Sequence, residues 1–180
     1  CGRIPPTAGR VRFDGTDITA LPAHRRIRLG MAYTFQITSI FAGLSVADNV
    51  RLAARDRDVA PRAALERVGL AGQDETPAGD LAYGHQRLLE IAMGLVQAPR
   101  LLILDEPTQG LSDAEVSGFK RLIRDLAGDT TILLIEHNMS VVMETADRVS
   151  VLNFGQILAE GTPGEIHADT AVQAAYLGTG

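Results

Sequence analysis

Asp105 and Glu106 stand side by side directly after four aliphatic residues, Leu101-Leu102-Ile103-Leu104, and directly before Pro107. A short, continuously apolar run suits a strand buried on both faces, as in a parallel sheet covered by helices. Proline cannot extend a central ladder, so the strand is expected to stop at Glu106. Both acids then lie at the carboxyl end of a buried strand, where open α/β sheets bind their ligands. Taken alone, the pair reads equally well as the polar exit of a core strand. Two other apolar runs end in the same way. Met31 to Phe35 delivers Gln36, and Thr131 to Ile135 delivers Glu136, His137 and Asn138. Phosphoryl transfer to water requires groups of these types: one acid to hold Mg²⁺, a second to orient or deprotonate the water, and donors to steady the γ-phosphate. A histidine at a strand end is more often a hydrogen-bonded structural residue, and Gln36 by itself reads as surface loop.

The elements that must position these groups follow from periodicity and punctuation. Val11 to Ile18, turning at Asp14-Gly15, reads as a small hairpin. Pro22 opens a short Arg-rich helix that Gly30 closes. Ser45 with Asp48 starts a helix to about Arg55, and a second runs from about Pro61 to Val68. From Gly84 to Gln97 the apolar residues Leu88, Ile91, Ala92, Leu95 and Val96 recur at helical spacing. Ser112 with Glu115 caps a helix that ends at Gly128. After the His137 strand come a helix to about Ala146, a hairpin from Val149 through Leu158, and a helix pair capped by Thr162-Pro163-Gly164-Glu165.

Composition narrows the class. A chain of 180 residues with 46% hydrophobic content has the length for one domain with a proper core. A net charge of -5 gives no reason to expect nucleic acid or an anionic membrane surface as partner. No apolar segment approaches membrane-spanning length. The single cysteine, Cys1, cannot form an internal disulfide.

Taken together and in order, these motifs resemble the nucleotide-binding subunit of ATP-binding cassette (ABC) transporters. Tyr33-Thr34-Phe35-Gln36 is similar to the Q-loop of that family. Leu81-Ala82-Tyr83-Gly84-His85-Gln86-Arg87 is similar to its signature loop, and Leu101 to Pro107 to its Walker B strand. Gln109 to Asp113 occupies the place of the D-loop, and His137 matches the switch histidine. The resemblance implies an α/β fold of the P-loop NTPase type: a parallel sheet core, a small antiparallel β hairpin, and a helical lobe spanning about residues 37–97 of a single 1–180 domain. It implies ATP and Mg²⁺ as cofactors. Glu106 would be the general base, His137 would contact the γ-phosphate, and Asp105 and Gln36 would serve the metal. Ala82, Tyr83, Gly84, His85 and Gln86 would bind the phosphate of a nucleotide held by a second subunit, aided by the free N–H groups of a helix start. Arg87 reads equally as a packing arginine.

The chain departs from the family pattern in four places. Ala82 stands for the usual serine, His85 for a common glutamine and Ser112 for the D-loop aspartate. No G-x-x-x-x-G-K-[ST] occurs, and Lys120, the only lysine, follows Phe119. The sequence is therefore expected to be an N-terminally truncated cassette lacking the Walker A strand and loop, and poorly active alone. A catalytically silent regulatory module is the alternative. The Leu-Ala-Tyr-Gly signature, Glu136 to Met139, Ala159 to Pro163 and Ala175 to Gly178 resemble importers of branched-chain amino acids. That resemblance implies membrane permeases as partners, a substrate-binding protein indirectly, and a peripheral place on the cytoplasmic face of the membrane. Ile40, Phe41, Leu44 and Val46 read equally as a permease-facing surface or as ordinary packing.

Overall fold

The computed structural model describes residues 2, 4–34, 39–54 and 60–177. Two-residue strands β1 (Arg12–Phe13) and β2 (Thr16–Asp17) pair antiparallel around the Asp14-Gly15 turn. Helix α1 (Ala23–Arg28) leads into β3 (Met31–Thr34). Helices α2 (Val46–Ala53), α3 (Arg62–Arg67) and α4 (Tyr83–Leu95) follow, and then β4 (Leu101–Asp105). Helix α5 (Asp113–Ala127), strand β5 (Thr131–Ile135) and helix α6 (Met139–Thr145) come next. The antiparallel pair β6 (Val149–Asn153) and β7 (Gln156–Gly161) precedes α7 (Pro163–Ala168) and α8 (Thr170–Leu177).

Strands β3, β4 and β5 form a parallel sheet with β4 in the centre. Thr34 lies opposite Leu104, and Asp105 opposite Ile135, so the carboxyl ends of all three strands reach one rim. Leu102 and Leu104 are fully buried. They join Ala32 of β3, Val50 of α2, Leu89 of α4 and Phe119 of α5 in one continuous core. Burying an aliphatic side chain of this size contributes roughly 1.5–3 kcal/mol, which makes β4 the strand least free to shift register. The helix starts obey their caps. The Ser45 hydroxyl accepts from the Asp48 amide, and reciprocal capping boxes form at Ser112/Glu115 and Thr162/Glu165.

Several boundaries differ from expectation. Strand β4 ends at Asp105, because Glu106 turns into the left-handed region at φ 45 and leaves the ladder. Strand β7 continues past Leu158 to Gly161, its pairing resumed after a register shift between Val151 and Leu152 that leaves Leu158 unpaired. Helix α4 starts one residue earlier than its periodicity suggests and ends at Leu95. Phe35 and Gln36 fall outside the described residues.

Strand β5, expected to be buried, is instead half open. Leu133 is 49% exposed and Ile135 46%, because β5 is the edge of its sheet among the described residues. An apolar edge strand invites pairing with another chain. The chain is therefore expected to self-associate with rising concentration, and Leu133→Lys to raise the monomer fraction in analytical ultracentrifugation. Equal association of both proteins would show that this edge is not the contact.

The loop before α2 is held unusually firmly for a loop. Asn49, wholly buried, accepts from the Phe41 amide at 2.7 Å and donates to the carbonyls of Phe41 and Ser45 at 3.1 and 2.9 Å. On the other side the Leu44 and Ala42 carbonyls accept from the amides of Ala78 and Gly79. Phe41 stays 55% exposed and Leu44 38%, whereas Val46 is entirely in the core and Ile40 packs against it. Of the four apolar residues considered for an outer surface, only Phe41 and Leu44 are on one.

Candidate active site

The site is built where β4 and β5 end. Asp105 closes the ladder, and its Oδ2 accepts the Tyr33 hydroxyl of β3 at 2.5 Å. The next residue, Glu106, donates its amide to the Ile135 carbonyl at 2.9 Å. That bond ties the turn after β4 to the end of β5. A non-glycine residue at positive φ costs roughly 1–3 kcal/mol and persists where its surroundings impose it, often at functional sites. Glu106 Oε1 lies 3.6 Å from His137 Nδ1, and His137 is largely exposed while Glu106 is about a quarter exposed. The fold thus brings Asp105, Glu106 and His137 to one rim. Gln36 follows two residues after Thr34, which is paired with Leu104, but itself lies outside the described residues.

The segment 82–86 begins α4. Ala82 is the N-cap and offers no side-chain hydrogen bond, so the first-turn N–H groups gain no help from it. Gly84 is buried against Glu115; any Cβ at that position would collide with the Glu115 carboxylate. Tyr83 lays its ring on Gly110, which adopts φ 80, a backbone conformation that side-chain-bearing residues rarely take. His85 is exposed, and the Gln86 side chain turns back to the Leu81 carbonyl at 3.0 Å. The start of α4 therefore packs on the 109–113 loop, whose first amide, that of Gln109, bonds the Glu106 carbonyl at 3.2 Å.

Arg87 is a packing residue. It is 5% exposed, pairs with Glu90 at 3.0 Å and donates to the Tyr83 hydroxyl at 2.9 Å. Glu90 also accepts the Ser39 amide. Burial pushes the Glu90 carboxyl above its ordinary value, with the Ser39 amide and Arg87 opposing that rise.

The donor set fits Mg²⁺ with a triphosphate. Among the described residues no group of three or more His, Cys, Asp or Glu forms a cage for a metal. Mg²⁺ ordinarily keeps its waters and takes only one or two carboxylates besides substrate phosphates, and Asp105 offers one such carboxylate at this rim. A cavity of about 640 Å³ lies elsewhere, at the amino ends of β4 and β5, lined by Phe13, Asp14, Arg100 and Thr131 among others. Open α/β sheets bind at the opposite rim.

Residues 1–109 match the family model described as "ABC transporter". The chain belongs to that family. Residues 156–180 match a second model, "Branched-chain amino acid ATP-binding cassette transporter". The chain thus belongs to the ABC-type ATPases. It is 38% identical to the high-affinity branched-chain amino acid transport ATP-binding protein BraF of Pseudomonas aeruginosa, over 98% of this chain and 79% of that protein. It is 35% identical to the lipopolysaccharide export system ATP-binding protein LptB of Acidithiobacillus ferridurans, over 98% and 77%. Among solved structures it resembles an ATP-binding cassette of an ABC transporter in its ADP conformation, with TM-score 0.86, 25% identity, and coverage of 98% and 80%. The parallel sheet and antiparallel hairpins are those of an ABC ATPase.

Two residues of this site carry no signal in the sequence. Tyr33 reads there as part of a loop motif, although its hydroxyl is the partner of Asp105. Glu136 reads there as one polar residue at a strand end, although both its oxygens are used.

Proposed function

We propose that the chain is the ATP-binding and ATP-hydrolysing part of a membrane importer for branched-chain or related amino acids. The observation that carries this is the meeting of Asp105, Glu106 and His137 at the carboxyl end of the parallel sheet. The likeness to BraF supports the substrate class. Glu106 takes the proton of the attacking water at its carboxylate, a general base whose backbone is locked by Ile135. His137, beside it, donates to the γ-phosphate. Asp105, steadied by Tyr33, would hold Mg²⁺ through water, and Gln36 would share that role. When bound, Mg²⁺ neutralises charge on the phosphate oxygens. Ala82, Tyr83, Gly84, His85 and Gln86 present the start of α4 to the nucleotide of a second subunit, where the helix dipole favours an anion.

In the same reading, residues 37–97 form the helical lobe of one 1–180 domain, and Phe41 and Leu44 face a permease. A substrate-binding protein acts on the permeases rather than on this chain. The same reading puts the chain on the cytoplasmic face of the membrane; no helix among the described residues is long and apolar enough to cross it.

A second reading is a silent regulatory module; these 180 residues contain no G-x-x-x-x-G-K-[ST]. The backbone cradle and lysine of that loop are what hold a triphosphate in P-loop enzymes. Mg-ATP turnover by the 180 residues alone is accordingly expected to stay at the background of a phosphate-release assay. Turnover above background that Glu106→Gln removes would show the expectation wrong. In the intact subunit, turnover abolished by Glu106→Gln decides for the importer, and unchanged behaviour decides for the silent module.

A further inference from the structure

We propose that Glu136 is a positioning residue for hydrolysis: it fixes Glu106 and His137 relative to one another by binding both of their loops. The proposal rests on the reading of Glu106 as base. Glu136 Oε1 accepts from the Thr108 amide at 2.9 Å and also from the Thr108 hydroxyl. Its Oε2 accepts from the amides of His137 and Asn138 at 3.1 and 3.2 Å. One carboxylate thus closes the 106–108 turn after β4 with one oxygen and the 136–138 turn after β5 with the other. Four donors match the roughly four lone-pair sites of a carboxylate, and bonds to an ionised acceptor are the stronger kind.

The effect on Glu106 follows from where the ends of its turn are held. Its own amide is bound by the Ile135 carbonyl, and Thr108, two residues on and 7% exposed, is bound by Glu136. Between these anchors Glu106 is kept at φ 45, with Oε1 3.6 Å from His137 Nδ1. Glu136 is not needed to start α6, because the Asn138 side chain caps that helix through the Ser140 and Val141 amides. A purely structural role at this corner is therefore already filled. Glutamine at 136 keeps one acceptor oxygen and turns an NH₂ toward N–H donors, so one of the two loops must be released.

The test is ATP turnover by the intact subunit assembled with its permeases, alongside amide NMR of the 180-residue chain. Glu136→Gln is expected to lower kcat by about 100-fold with KM little changed, the usual cost of a small misplacement of catalytic groups. Thr108→Val is expected to lower kcat less, and the double variant to be no worse than Glu136→Gln, because the two side chains act through one bond network. In the NMR spectra of Glu136→Gln, the amide resonances of Thr108 or of the His137–Asn138 pair should shift while those of Ser140 and Val141 stay. If Glu136→Gln does not fold, Thr108→Val carries the test. A lowered kcat then supports the proposal and an unchanged one overturns it. Near-normal kcat in Glu136→Gln, or a change confined to KM, overturns the positioning role while Glu106→Gln still abolishes turnover. Turnover indifferent to Glu106→Gln overturns both readings, since no base is then left to position.

Discussion

Glu106→Gln is expected to lower ATP turnover of the intact subunit by about a thousandfold, within the range a positioned general base supplies, and to leave nucleotide affinity nearly unchanged. The amide keeps the size of the side chain but cannot take a proton from water. Its backbone anchors remain, because the bond from the Glu106 amide to the Ile135 carbonyl does not involve the side chain. Asp105 keeps its Tyr33 partner, so the groups assigned to the cation are undisturbed. Rapid-quench turnover and equilibrium nucleotide binding, measured on the same preparation, separate the two effects. Equal losses in binding and turnover would mean that Glu106 holds the nucleotide and does not act as a base.

Arg87→Met is expected to have the largest effect on stability, a loss of about 3–5 kcal/mol at neutral pH, as when one partner of a buried pair is removed. Arg87 and Glu90 are 5% and 6% exposed, so Glu90 cannot turn to solvent once its partner is gone. The Ser39 amide remains as an acceptor's partner but carries no full charge. The sign of the pH dependence follows from the direction of the Glu90 shift. Its folded pKa is raised by burial, so the folded state binds the proton more tightly than the unfolded chain does. Stability from this group is present below the unfolded value of 4.5 and is lost as pH rises through the higher folded value. Removing Arg87 raises that folded value further, so acid should narrow the gap between Arg87→Met and wild type. Adding Glu90→Gln to Arg87→Met should recover part of the loss at neutral pH. Urea melts at two pH values check both statements, and a gap that widens in acid would contradict the assignment of Glu90 as a stranded anion.

Much of the scaffold was legible because it is written in local terms. The aliphatic run of β4, the caps at Ser45, Ser112 and Thr162, and the Asp14-Gly15 turn each depend on residues a few positions apart. The same holds for Asp105, Glu106 and His137, which announce themselves as polar residues at the ends of apolar runs. What escaped depends on distance along the chain. Tyr33 and Asp105 are 72 positions apart, and Thr108 and Glu136 are 28 apart, so no periodicity links them. The exposure of Leu133 and Ile135 was hidden for a related reason: an apolar run states what a strand would bury, not which neighbours it has. Val46 and Phe41 show the limit at closer range. Both are apolar and five positions apart, yet one is core and the other surface, a division set by the Asn49 side chain.

That asparagine also changes how a mechanical load would travel. With its amide group gripping the backbone at Phe41 and Ser45, the exposed ring of Phe41 is mounted on α2 like a handle on a shaft. A displacement delivered to the ring reaches the helix with little slack, and through the core that Val50 shares with Leu89 it reaches α4, which opens at Tyr83.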